Sequence, residues 1–160
     1  MAKKKTLAKK TPSPAIINRR ARFDYELGEE IVAGIILTGP EVRAIRDSHI
    51  QLKGSFVSIR NDELWLNNAS ISLNQNVRGQ TNARTVDTTA RKLLISRKQL
   101  ERLQSIKQQG MTIVPTKVLT NGKFIKVVIA TAKGKKLYDK RQTIKQRDLI
   151  RETKRAISQK

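Results

Sequence analysis

A mainly β fold is predicted for this chain of 160 residues: one small, OB-like closed antiparallel barrel of about six strands with two short helices, carrying a basic tail at each end. Three observations predict it. Apolar residues recur at a period of two in short runs separated by turn signals, which favours a barrel or sandwich over a parallel sheet. Only two stretches within the central region combine helical spacing with a helix-start signal. Finally, 34 Lys and Arg face 13 Asp and Glu, and most of that excess lies at the two ends.

The elements follow in order. Residues 1–17 hold Lys3, Lys4, Lys5, Lys9, Lys10 and two prolines with little to bury, the composition of a disordered arm. Phe23, Tyr25 and Leu27 alternate with Asp24 and Glu26 in a first strand, and Ile31 to Leu37 is a second apolar segment. Thr38-Gly39-Pro40-Glu41 has capping-box spacing with proline in the first turn, opening a short helix that ends near Ser48. Residues 55–66 read as a hairpin about Asn61-Asp62, and Ala69, Ile71 and Leu73 alternate in a further strand. From Asn74 to Thr89 the periodicity stops, as in a long loop. Arg91 to Ile95 resumes order. Ser96 then caps a helix with Leu100, Leu103 and Ile106 at helical spacing, Gln99 completing the box and Gly110 as its stop. Thr112 to Leu119 and Phe124 to Ala130 flank Asn121-Gly122, a strong hairpin signal. Residues 18–132 thus make the barrel, and one of the OB type fits. Residues 133–160 form a separate tail. Its Ile144, Leu149, Ile150 and Ile157 are too sparse for a core stripe, so it should be loose alone and helical once its charge is neutralised.

Charge sharpens the division. Residues 1–22 carry eight basic and no acidic side chains, residues 133–160 eleven and three, and residues 23–132 fifteen and ten. Cationic arms on a nearly balanced centre describe a polyanion binder, since neutralising phosphates releases condensed counterions. Arms kept only for solubility would be better served by mixed signs.

Several classes drop out. Without Cys there are no disulfides or thiolate sites, and one histidine, the turn residue His49, excludes any site needing two imidazoles. Glu29-Glu30 and Asp62-Glu63 are strand neighbours that point to opposite faces, unlike acid–base pairs. Gly134-Lys135-Lys136 lacks the upstream glycine of a phosphate-cradling loop. No enzyme, cofactor or metal motif is present. Ile31 to Leu37 is too short to span a membrane and no apolar stretch follows the N-terminal lysines, so a soluble cytoplasmic protein is expected.

Four stretches fall in order between about Asn18 and Arg151: Asn18-Arg19-Arg20-Ala21-Arg22-Phe23-Asp24-Tyr25, Ala33-Gly34-Ile35-Ile36-Leu37-Thr38-Gly39-Pro40-Glu41-Val42, Arg91-Lys92-Leu93-Leu94 and Gly134-Lys135-Lys136-Leu137-Tyr138-Asp139-Lys140-Arg141. In that order and spacing they resemble the transfer-messenger-RNA-binding family, also known as SsrA-binding or small protein B. The resemblance implies an OB-like barrel that grips the tRNA-like part of transfer-messenger RNA. It also implies a basic C-terminal tail that enters the decoding centre and empty messenger channel of a stalled ribosome, with no covalent chemistry by the protein itself. On this likeness Asn18, Arg19, Arg20, Arg22, Glu41, Arg91 and Lys92 face the RNA. Lys133, Gly134, Lys135, Lys136, Tyr138, Asp139, Lys140, Arg141, Lys145 and Arg147 serve the ribosomal step. The implied partners are that RNA and small-subunit ribosomal RNA, with no membrane and no small-molecule substrate, and the protein is expected to be a monomer. The chain departs from the family at Val32, usually acidic, at Thr89-Ala90, usually Arg-Thr, and at Gly54-Ser55-Phe56, usually Asp-Ser-Tyr.

Tyr138, alone among cations, is suited to stack on a base. Trp65, between Leu64 and Leu66, points to the other face of its strand and reads as a packing residue. Composition alone leaves two other classes open: a structural protein of the ribosome, and a cationic membrane-surface binder, though the tail lacks the apolar stripe the latter wants.

Overall fold

The computed structural model describes residues 15–77 and 80–158, so most of the expected N-terminal arm lies outside the described residues. In chain order its elements are β1 (Ile16–Ile17), α1 (Arg19–Asp24), β2 (Tyr25–Ile35), α2 (Gly39–Arg46), β3 (Ile50–Gln51), β4 (Phe56–Arg60), β5 (Glu63–Asn67), β6 (Ser70–Val77), β7 (Gln80–Asp87), β8 (Arg91–Leu94), α3 (Arg97–Gln108), β9 (Thr112–Leu119), β10 (Lys126–Gly134) and α4 (Leu137–Ser158). The fold is mainly β, as predicted. Six strands run in the order β9-β10-β2-β8-β5-β4 and close into a ring where Val57 of β4 meets Ile113 of β9. A separate three-stranded sheet holds β3, β6 and β7.

Alternation along the strands builds the core. Ile31 and Ala33 of β2 are buried opposite Ile129 and Val127 of β10. Val57, Leu64, Leu66, Leu93, Ile113 and Val118 continue the same cluster, joined by Ile45 of α2 and Leu103 of α3. Each such side chain contributes ~1.5–3 kcal/mol by leaving water. Local signals set the ends. The Thr38 amide and Oγ1 donate to Glu41 Oε2 at 2.7 and 3.0 Å, and Ser96 and Gln99 cap α3 reciprocally. Asn61 and Asp62 take left-handed φ of 49° and 56°, the two-residue turn that joins Arg60 to Glu63.

The structure corrects three expectations and shows the tail as a helix. The two apolar segments before Thr38 are one strand, β2, whose ladder with β10 continues through a bulge between Ala130 and Ala132. Phe23 and Asp24 end the six-residue α1, too short to show a helical period. The stretch 74–89 is mostly the β6–β7 hairpin, paired from Ile71 opposite Asp87 to Val77 opposite Gln80. Main-chain ladders hold it, so its polar side chains leave no period in hydrophobicity. Finally, Leu137–Ser158 forms a continuous helix of 22 residues, uninterrupted because no Gly or Pro follows Gly134. The two helices expected in the central region are α2 and α3, with α1 as an additional short one.

Candidate nucleic-acid interface

The outer face of the ring is unusually apolar at one end of β2. Val32 is 50% exposed beside the buried Ala33. Gly34, the next outward position, stands directly opposite Lys126 of β10 and Leu94 of β8, and opposed residues share a face. A Cβ on Gly34 would lie 3.3 Å from that of Leu94, so the glycine leaves a dip between the leucine and the lysine. Leu94 and Ile36 are about half exposed. Lys126 is exposed and, among the described residues, has no carboxylate partner. Just before β10, Phe124 is 69% exposed, with Lys123 Nζ 5.5 Å from its ring centroid. Arg46 of α2 reaches the same corner and donates to the Lys123 carbonyl at 3.4 Å. Exposed apolar and aromatic side chains edged by cations can stack on bases while the cations meet phosphates.

Sequence reasoning misses this band because its members come from three separate stretches and only strand register joins them. A signal was present in Leu93-Leu94-Ile95 and Ile31-Val32, where a half-buried strand would alternate. Trp65 lies on the same outer side, opposite Lys92, which is ion-paired with Glu63.

Three of the seven expected RNA-facing residues, Asn18, Glu41 and Arg91, are buried within the fold. Arg91 is 4% exposed. Its Nε donates to Glu41 Oε1 at 2.7 Å, and Nη1 donates to the carbonyls of Thr89 and Ala69 at 2.8 and 3.1 Å. Nη2 lies 3.1 Å from Asp87 Oδ2, an ion pair without hydrogen-bond geometry. Burial pushes the Glu41 carboxyl up, but the Thr38 amide and the Arg91 guanidinium outweigh it and hold its pKa below the ordinary value. Asp87 is also lowered, chiefly by the Thr89 amide, with burial opposing and Arg91 assisting. One guanidinium thus ties α2, the ends of the β6–β7 hairpin and β8 together. Its partner Glu41 lies 50 residues away, so no local pattern marks Arg91 as buried. Asn18 is likewise internal. Its Oδ1 accepts from the Ala21 amide, and its Nδ2 donates to the carbonyls of Leu52 and Pro115 at 3.0 and 2.9 Å.

Arg19, Arg20 and Arg22 are exposed on α1. Arg20 pairs with Asp24 at 2.7 Å and lies 5.3 Å over the Phe23 ring, while Arg19 and Arg22 have no described carboxylate partner. Ala21 seats α1 on Val114 and Ala132, outside the ring. The tail leaves beside it: Lys133 and Gly134 are still strand residues, opposite Glu26 and Tyr25. Beyond them the Lys136 amide donates to Asp139 Oδ2 at 3.2 Å, and Tyr138 is 60% exposed. Lys136, Arg141 and Lys145 are exposed, and Lys140 and Arg147 belong to the same helix. Gly134 lies eight positions beyond Lys126 along β10, about 27 Å at ~3.4 Å per residue. Band and tail root therefore sit at opposite ends of one strand pair.

The sequence matches the family model described as SmpB protein over residues 15–159. The chain belongs to the SmpB protein family. It is similar to the SsrA-binding protein of Streptococcus mutans serotype c, 43% identical over 145 residues that cover 89% of this chain and 90% of that protein. The SsrA-binding protein of Streptococcus thermophilus strain LMD-9 is 44% identical over 88% of this chain and 90% of its own length. That of Synechococcus sp. strain JA-2-3B'a(2-13) is 42% identical over 89% and 92%. Among solved structures the chain resembles one from a study of tmRNA-SmpB described as "a journey to the center of the bacterial ribosome". The TM-score is 0.62 at 37% identity, over 78% of this chain and 86% of that one. In this SmpB family member, no helix among the described residues is long and apolar enough to cross a membrane. The described residues also hold no group of three or more His, Cys, Asp or Glu placed to bind a metal.

Proposed function

We propose that this chain binds the tRNA-like part of transfer-messenger RNA and delivers it to stalled ribosomes for trans-translation. The observation that carries the reading is the outward band of Val32, Leu94, Phe124 and Lys126 on the ring of an SmpB family member. The apolar members offer stacking surface, and Lys126 with Arg19, Arg20, Arg22 and Lys92 supplies positive charge. From about Lys133 the chain acts as a second unit. Lys136, Tyr138, Lys140, Arg141, Lys145 and Arg147 enter the decoding centre and the empty messenger channel, with Asp139 capping their helix. The ribosome carries out peptide transfer; this chain contributes no catalytic group and takes no cofactor. It works as a monomer in the cytoplasm.

The test is to purify the protein from cells and identify the RNA that comes with it, then titrate a tRNA-like fragment over a salt series. A single tRNA-like RNA is expected, with log K falling by ~0.7–0.9 per log unit of salt for each phosphate neutralised. Copurification with every ribosome in equal amount would instead mark a structural protein of the ribosome.

A further inference from the structure

The last carbonyl groups of a helix have no partner within it, and a six-residue helix such as α1 has little else to hold its end. The Tyr25 amide closes on the Ala21 carbonyl. Two more donors come from a single residue far along the chain. The Lys135 amide donates to the Asp24 carbonyl at 3.0 Å, and Lys135 Nζ donates to the Arg22 carbonyl at 3.2 Å, across 113 positions of sequence. The ammonium also stands at the negative end of the helix, where a cation is favoured. Lys135 is half-buried, whereas its neighbours Lys133 and Lys136 are exposed.

Only Lys135 and Lys136 link the end of the β10 ladder, at Gly134, to the start of α4 at Leu137. Both of their amides are engaged, one by α1 and the other by Asp139. Asn18 in turn anchors α1 to the ring through the carbonyls of Leu52 and Pro115.

We infer that Lys135 is a positioning residue, closing the end of α1 and setting the direction in which α4 leaves the ring, and not a ligand of RNA phosphate. The helix that carries Arg19 and Arg22 and the helix that carries Tyr138 then share one joint. What binds the first biases the second, and the coupling runs both ways. Only the use of that joint in ribosome rescue rests on the function proposed above; the joint itself does not.

The chain has no cysteine, so paired nitroxide labels at Ser105→Cys on α3 and Gln146→Cys on α4 report the angle of the tail cleanly. A narrow distance distribution is expected in the parent protein, a broad or shifted one in Lys135→Met, recovery in Lys135→Arg and no change in Lys136→Met. Lys135→Gln keeps a donor without the charge. It should fall between parent and Lys135→Met, and it serves if Lys135→Met fails to melt cooperatively. Binding of poly(U) over a salt series supplies the second readout, with an unchanged slope expected for Lys135→Met. A slope lowered by ~0.7–0.9 with an unchanged distance distribution would identify a phosphate ligand and overturn the inference. So would a distribution equally broad in the parent and all variants. Neither measurement uses transfer-messenger RNA or ribosomes, so a negative result here leaves the proposed function untouched, and the reverse holds too.

Discussion

The ring and the tail carry their charge in opposite ways. Within residues 23–132, carboxylates among the described residues hold four of the fifteen cations across elements: Arg91 with Glu41 and Asp87, Lys92 with Glu63, Lys117 with Glu30, Arg102 with Glu29. In the tail, eleven basic side chains meet three acidic ones. Asp139 caps the helix, and Asp148 lies 3.6 Å from Arg151 in an exposed pair. Such a pair contributes only ~0–1 kcal/mol, so the tail's charge stays available to an anion. Charge counted in a sequence is therefore not charge free to meet phosphate. Among the described residues, the exposed cations left without a carboxylate partner include Arg19 and Arg22 of α1 and Arg43, Arg46, Lys53, Arg60, Lys123 and Lys126 of the ring, beside a strip of apolar surface.

The largest expected effect separates a structural cation from a ligand. Arg91→Ala leaves Glu41 buried without its partner and should destabilise the protein by ~3–5 kcal/mol, with melting and RNA binding falling together. Lys92→Ala breaks a partly exposed pair and should cost at most ~1 kcal/mol. Acid probes the same knot. The folded-state pKa values of Glu41 and Asp87 are lowered from 4.5 and 3.8. Their contribution is thus complete above the unfolded values and is lost as pH falls through the folded ones. Melting followed from about pH 7 to about pH 3 should drop mainly below pH 4.5, and Arg91→Ala should show a smaller acid drop. An identical drop in both proteins would mean that the knot is not its source.

A smaller effect belongs to the band. Phe124→Ala should weaken binding of the tRNA-like fragment by ~1–3 kcal/mol, the value of one stacked base, without lowering the melting temperature. Lys126→Ala should lower the salt slope by ~0.7–0.9. If both variants bind like the parent, the RNA sits elsewhere on the ring.

How much of this was legible follows from the range of each interaction. Caps and tight turns are local, so Thr38 with Glu41, Ser96 with Gln99 and the Asn61-Asp62 turn could be read directly. β9 was legible because its alternation and the following Asn121-Gly122 lie close together. The β6–β7 hairpin was not, since a ladder of main-chain bonds between polar residues has no hydrophobic signature. Nor was the inward turn of Arg91, whose meaning depends on Glu41 arriving from another element. The band on the ring needed three strands in register. Identity was easier to read than mechanism: motif residues such as Asn18 and Arg91 mark the family while working inside the fold.

Ending the chain after Lys135, which keeps the two donors that close α1, tests the comparison most directly. The cut removes the tail beyond the β10 ladder while leaving the ring, α1 and the outward band in place. Fragment binding and tagging of a stalled peptide in a reconstituted translation system should be measured on the same preparation. The account predicts that the shortened chain still binds the tRNA-like fragment, with a shallower salt slope, and tags no peptide. Loss of fragment binding, or tagging at the full-length rate, would contradict it.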